Sequence, residues 1–435
     1  MCHGDTPYQN ERTIVMDFIQ YNYGKSKYLK PYSDTKKYRN NLLLTKTEKL
    51  SMNYAKNKNV LVIGAAGSGK TQNYAIPNIM QMNSSYIISG STNKTMLTTL
   101  KMLKKSKYAI KIINTDNINK TMHYNPFEYI RSEEDILHFV EVLLDNTTGL
   151  DYDLWRKVEK LLLTSYTALL LYFPKEEQSI EELSIWLNYS LTSDEENFQN
   201  SVDLMFETLE EEHPGCFAVN QYKRYKLAVG KNAESVLNSC RKRLSFFNRK
   251  EVRDVMKYDE MQLDKIGYRK TALFVIFSKI TSNYEIIIKL FLSQLFRILS
   301  RETKSDTANY IEYNRYHISC FLDDFSYLSR IHRFEKSITA MRNNNVSVSI
   351  MLRSYSQLKS VYKDAADTIV KSCDIMLFLG GYNIAAIREL SESYDLNCGE
   401  LFKKQKKCIL KIRGLKPLRS YKYNITKHPR YKELK

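Results

Sequence analysis

Short β-branched apolar runs alternate with helix-spaced segments towards both ends of the chain, and a long stretch of purely helical periodicity separates them. Asn59–Ile63 is the sharpest run, preceded by Asn41–Leu44 and followed by Ser85–Ser89 and Tyr108–Asn114. Helices are expected between these runs, over Thr71–Met82 and Thr95–Lys105. Strands alternating with helices read as a parallel α/β sheet. From about Ser132 to Asn248 the period becomes helical throughout. Trp155, Val158, Leu162, Tyr166 and Leu169 mark one face of a helix over Asp153–Phe173, and Gln221–Phe247 reads as a single long basic helix.

Alternation resumes with a strand at Ala272–Phe277 and a helix over Tyr284–Ser300. Further strands are expected at His317–Leu322, Val346–Leu352 and Ile375–Leu379, with helices at Arg330–Asn343 and Lys363–Ser372. Cys408–Ile412 is expected to be the last strand. The first residues are polar and rich in Tyr and Lys, with an amphipathic pattern around Ile14–Tyr21.

Directly after Ile63 stands Gly64-Ala65-Ala66-Gly67-Ser68-Gly69-Lys70-Thr71, which fits the phosphate-binding loop G-x-x-x-x-G-K-[ST]. Glycines in such a loop let backbone N–H groups point at phosphate oxygens without a Cβ in the way. Lys70 supplies a cation for the β- and γ-phosphates, and Thr71 a hydroxyl for Mg²⁺. The second landmark is the apolar run ending in Asp323-Asp324. Asp323 is expected to hold Mg²⁺ across the site from Thr71, and Asp324 to orient the attacking water. Arg342, one helix after that strand, is a candidate arginine finger acting across a subunit interface.

The fold expected is therefore α/β: a RecA-like P-loop NTPase with a mostly parallel sheet and an inserted all-α domain. Residues 1–57 form a polar segment packed on the motor. Residues 58–131 and 263–435 form the two parts of the nucleotide-binding domain, with a basic C-terminal tail. Residues 132–262 form the all-α insertion.

Composition adds a field and removes some chemistries. The net charge is +18, from 66 Lys and Arg against 48 Asp and Glu. Such a balance favours a polyanionic partner, nucleic acid or an acidic membrane surface. The seven cysteines form no C-x-x-C and suggest neither a metal site nor a disulfide framework. No apolar run reaches the length of a spanning helix, so membrane contact is expected through partners, at the inner face of the cell membrane.

Nearly end to end, the sequence resembles the TraG-type coupling ATPases of type IV secretion and conjugation, P-loop proteins related to FtsK, in the subset common in Gram-positive mobile elements. The resemblance rests on Asn59–Thr71, Pro77–Gln81, the tetrapeptide Tyr124-Asn125-Pro126-Phe127, Tyr225–Leu244, Ala272–Phe277 and Asp323–Phe325. Val346–Leu358, Asp364–Val370, Cys373–Gly381 and Ile412–Pro417 complete it. It implies an ATP- and Mg²⁺-dependent, DNA-binding motor working as a homo-hexamer. Such a motor recruits relaxase-bound single-stranded DNA from the relaxosome to a type IV secretion channel.

The chain departs from that pattern in places. It encodes no membrane hairpin, has Gly90-Ser91-Thr92-Asn93-Lys94 where relatives carry carboxylates, and is short between Asp395 and Cys408. Asp324 replaces a glutamate, and Arg353 replaces the sensor glutamine after the strand Val346–Leu352, where an arginine either contacts the γ-phosphate directly or interferes with the positioning of water. Two other readings follow: a weakly hydrolysing, nucleotide-gated adaptor that recruits a partner motor, and an FtsK-like chromosome translocase.

Overall fold

The structure is a computed structural model and describes residues 32–53, 57–147, 153–190, 199–278, 284–301, 316–381 and 406–434. The helix expected around Ile14–Tyr21 and most of the short segment after Asp395 lie outside the described residues. The chain forms two compact units, Met1–Lys111 with Asp264–Ile276 and Leu299–Lys435, and Ile112–Leu263 with Phe277–Ile298.

The strands, in chain order, are β1 (Asn41–Leu43), β2 (Lys49–Ser51), β3 (Val60–Ile63), β4 (Ser85–Gly90), β5 (Ala109–Asn114), β6 (Thr271–Ile276), β7 (Ile318–Leu322), β8 (Val346–Leu352), β9 (Ile375–Phe378), β10 (Lys407–Ile412) and β11 (Leu418–Tyr421). Nine of them make one sheet in the order β11-β10-β9-β3-β8-β7-β4-β6-β5. β9, β3, β8, β7, β4 and β6 run parallel, and β10 and β11 close one edge antiparallel. Side chains along β3, β6, β7, β8 and β9 are buried throughout, as a parallel sheet covered on both faces requires; the runs are mainly apolar, with Ser319 in β7 and Ser347 and Ser349 in β8 buried among them.

Three expectations need correction. β1 is not in the main sheet: it pairs with β2 as a separate antiparallel ribbon. β10 is not the last strand. After a turn at Gly414 the chain returns as β11, whose alternating burial is the mark of an edge strand with one solvated face. The helix after the phosphate loop is a six-residue π-helix, Lys70–Ala75, followed by a short α-helix, Ile76–Ile79. Pro77 has no N–H to return to residue 73, so the ladder slips, and the Ile76 N–H reaches Thr71 O, five residues back.

The second unit is built mainly of helices, including Glu133–Asn146, Asp153–Leu170, Ile180–Tyr189, Ser201–Glu212, Phe217–Val229 and Ala233–Leu244. The single helix expected over Gln221–Phe247 is broken at Gly230, whose φ of 50° lies in the left-handed region. The break re-aims part of the basic run inward. Arg243 is 4% exposed, and its guanidinium makes 2.8 Å and 3.0 Å bonds to the fully buried Glu159 carboxylate. Arg243 also donates to the carbonyl oxygens of Leu144 and Thr147. A buried ion pair is tolerated where its other donors are satisfied.

Candidate nucleotide site at the end of β3

β3 delivers Gly64 to the carboxyl end of the sheet, and neighbouring strands hold the loop on both sides. The Gly64 N–H donates to the O of Leu352, the last residue of β8, at 3.0 Å, and the Ala65 N–H to Gly380 O after β9 at 3.2 Å. The loop then turns through Gly67 and Gly69, at φ of 73° and 93°. A Cβ on Gly69 would displace the Asn73 amide, whose Oδ1 lies 1.9 Å away, and the φ of 93° is one that only glycine adopts readily. The ammonium of Lys70 folds back onto Gly64 O at 2.6 Å and Ala65 O at 3.2 Å. The side-chain oxygen of Ser68 is buried without a hydrogen-bond partner.

Two strands away, β7 ends in the paired carboxylates. The Thr71 hydroxyl donates to Asp323 Oδ2 at 2.5 Å, joining positions far apart in sequence. Burial raises the Asp323 carboxyl above the ordinary aspartate range, and the nearby Asp324 charge adds to the rise. The Thr71 hydrogen bond and Lys70 act against it. A carboxylate and a hydroxyl so placed, next to a buried lysine, are the hard oxygen donors that Mg²⁺ takes beside a nucleotide phosphate. The unpartnered Ser68 hydroxyl fits a phosphate oxygen in the same loop.

Asp324 turns through the left-handed region at φ 54°, and its N–H donates to Asp323 Oδ1 at 3.0 Å. Its Oδ2 accepts the hydroxyl of Ser91 at 2.6 Å. Ser91 follows β4 in the stretch that departs from the resembling family, so the sequence offered no reason to single it out. Arg353 directly follows β8 at the same end of the sheet as the loop. Its guanidinium lies 5.3 Å from the ring centroid of Tyr327. Gln357 ties this corner together: its Oε1 accepts from the Arg353 N–H at 3.3 Å and from the Ser326 hydroxyl at 3.4 Å.

Arg342 is not brought to this group. It is exposed in the turn Arg342–Asn344, before β8 begins, and so at the opposite end of the sheet. A strand of that length separates it from the loop by roughly 20 Å. On the other side of β3, Lys422 Nζ donates to Ser68 O at 2.8 Å and Asn73 Nδ2 to Tyr423 O at 2.8 Å. These residues after β11 were not expected to meet the loop.

A mostly parallel sheet, a phosphate loop after the interior strand β3 and a carboxylate pair two strands away define a RecA-like P-loop NTPase fold, here with an all-α domain. The chain belongs to the type IV secretory system conjugative DNA transfer family, whose model matches residues 17–392. Among solved structures it is similar to the bacterial conjugative coupling protein TrwBdeltaN70 in its unbound form, with 16% identity, a TM-score of 0.65 and 91% of each chain covered. It is similar to the plasmid coupling protein TrwB in complex with ADP and Mg²⁺, with 15% identity, a TM-score of 0.64 and 91% of each chain covered. VirB4 of Thermoanaerobacter pseudethanolicus is a more distant likeness, at 11% identity and a TM-score of 0.53 over 91% of this chain and 98% of that one. At these identities the structures speak for the fold. No curated protein matches the sequence. Among the described residues no helix is long and apolar enough to cross a membrane.

Proposed function

We propose that this chain is the coupling ATPase of its conjugation system. It binds ATP with Mg²⁺ and recruits relaxase-bound single-stranded DNA to a type IV secretion channel. It works as a homo-hexamer at the inner face of the membrane, held there by partners. Residues 58–131 and 263–435 carry the nucleotide, residues 1–57 pack on that motor, and the helical stretch 132–262 meets the relaxosome.

The observation that carries the reading is the Thr71–Asp323 hydrogen bond, which brings the two expected metal ligands together beside Lys70. Gly64–Thr71 cradle the phosphates, and Lys70 leaves its carbonyl partners for the β- and γ-phosphate oxygens. Thr71 and Asp323 would hold Mg²⁺, whose positive charge would offset that of those phosphates. Asp324, steadied by Ser91, orients water, and Arg353, which follows β8 at the loop's end of the sheet, answers the γ-phosphate. Arg342, held by its own chain at the opposite end of β8, serves the site of a neighbouring copy.

The nucleotide-gated adaptor remains as a second reading because the Asp324 carboxylate is already engaged by Ser91. Turnover separates the two. ATP hydrolysis by the purified chain is expected to rise when single-stranded DNA is added and to fall back as salt is raised, since phosphate contacts release counterions. Nucleotide binding without turnover, unaffected by DNA, would select the adaptor.

A further inference from the structure

We propose that the cleft on the β9–β11 side of the phosphate loop receives the base and ribose of the bound nucleotide, with Tyr421 as the stacking ring and Lys422 as a second phosphate-facing cation. The inference rests on the nucleotide-binding reading above and extends it to the part of the ligand that the loop does not hold.

Direction comes first. Thr71 and Asp323 fix the metal end of the site on the β8–β7 side of β3. A nucleotide with its terminal phosphates there must run its nucleoside the other way, towards β9, β10 and β11. On that side a cleft of about 870 Å³ opens, walled by Ala65–Ser68 of the loop and by Gly380 and Gly381 after β9. Gly381, at φ 143°, is what allows the two walls to lie so close: a Cβ there would stand 2.3 Å from Ala65 Cβ.

Charge comes second. Lys46, Lys49, Lys406, Lys422 and Lys427 line the cleft, and none of its described lining residues is acidic. Lysines crowded without counterions favour a polyanionic occupant. Lys422 shows this most clearly. Its ammonium is half-buried against the Ser68 carbonyl, with no carboxylate bound to it among the described residues, and burial lowers its pKa. A phosphate between loop and lysine supplies the missing anion.

The third feature is aromatic. Tyr421 is 52% exposed at the mouth, with Lys46 Nζ 5.8 Å from its ring centroid. Behind it the hydroxyls of Tyr38 and Tyr423 share one hydrogen bond of 2.7 Å. That bond uses one hydroxyl proton, so the accepting hydroxyl keeps its own for a third partner such as a ribose oxygen. Lysines among tyrosines also suit a single strand of nucleic acid. The phosphate loop itself forms one wall, however, and that favours a nucleotide.

Isothermal titration of the full-length chain with ATP and with inorganic tripolyphosphate, each with Mg²⁺, tests the assignment. Tyr421→Ala is expected to weaken ATP about tenfold, the scale of one base–aromatic stack, and to leave tripolyphosphate unchanged. Lys422→Met is expected to weaken both ligands, and Lys70→Ala to abolish both. ATP binding by Tyr421→Ala at wild-type affinity, with Lys70→Ala still defective, overturns the cleft assignment alone. Wild-type binding by Lys70→Ala overturns the nucleotide reading beneath it. Photolabelling with azido-ATP gives an independent answer, with label expected on peptides containing residues 38–49 or 406–427. Label found only elsewhere, or displaced by a single-stranded oligonucleotide but not by ATP, also rejects the proposal.

Discussion

On the β8–β7 flank of β3 the side chains that meet are hydroxyls and carboxylates: Thr71 with Asp323, and Ser91 with Asp324. On the β9–β11 flank they are lysines and tyrosines, gathered from residues 38–49 and 406–427. The strand connections explain the contrast. Parallel neighbours of β3 all present their carboxyl ends beside the loop, so whatever follows each strand arrives at the same place. The other flank is an antiparallel edge, and there the segments before β3 and after β10 are stitched together. Lys46 N–H donates to Tyr421 O, and the Ser420 hydroxyl to Thr45 Oγ1 at 2.9 Å. One flank suits a metal ion and a reacting phosphate. The other suits the rest of a nucleotide.

The largest expected effect tests whether the hydroxyl–carboxylate flank serves catalysis. Asp323→Asn keeps the size of the side chain and an oxygen for Thr71 but removes the charge that a metal ion needs. Turnover is expected to fall by about a hundredfold. Stability is expected to move the other way. The folded pKa of Asp323 is raised, so the group's contribution is present below the unfolded pKa and is lost as pH rises through the folded one. At neutral pH, without nucleotide, the asparagine variant should therefore melt higher than the parent. A variant that melts lower and hydrolyses normally would break the distinction between the flanks.

The same comparison shows what the sequence could and could not reveal. The meeting of Thr71 and Asp323 was legible because the loop and the carboxylate pair each sit directly after a strong apolar run. Val60–Ile63 announces the loop, and Ile318–Leu322 announces Asp323 and Asp324. Ser91 and Gln357 were missed because a lone serine or glutamine after a strand or in a helix carries no chemistry until its partner is known. The cleft was illegible for a different reason. Its two halves are hundreds of residues apart, and lysine and tyrosine are common throughout this chain. β11 itself, Leu418–Tyr421, is too short and polar to stand out from a basic tail. The π-helix was missed too, since Pro77 acts on the ladder before it through an absent N–H.

A smaller effect concerns Asp324 and Arg353, both departures from the resembling family. No direct bond joins them here. Asp324 leads into the turn Phe325–Leu328, and Arg353 rests on Tyr327 within it. If the two changes compensate, Asp324→Glu and Arg353→Gln each lower turnover and the double variant restores it, with a coupling of at least about 0.5 kcal/mol. We expect compensation, because the loop and Asp323 keep the geometry a working site needs. Independent effects that simply add would mark them as unrelated losses. In either case nucleotide affinity through the β9–β11 flank should hardly change.

The smallest expected effect lies on the cleft flank and depends on pH. His428, in the segment that follows β11, is 4% exposed. Its Nδ1 accepts the Arg430 N–H at 3.1 Å, so Nε2 carries the proton and donates to Gln81 Oε1 at 3.1 Å. The ring is thus held neutral with both nitrogens used. Burial, with the charge of Arg430 behind it, lowers its pKa from 6.5 to about 4. The unfolded chain then binds a proton that the folded chain refuses between those two values, so the stability contribution is complete above pH 6.5 and is lost progressively as pH falls to about 4. Below that the loss stops growing, because both states are protonated. His428→Gln keeps a donor for Gln81 and an acceptor for Arg430 but cannot titrate. Between pH 7 and pH 5 its melting temperature should fall less than the parent's, by about 2–4 °C. Asp323 carries a shift of the opposite sign, so acid should loosen the edge that holds the cleft while easing the buried charge at Asp323. Equal slopes for parent and variant would mean that His428 does not secure this segment, and that the two flanks respond to acid alike.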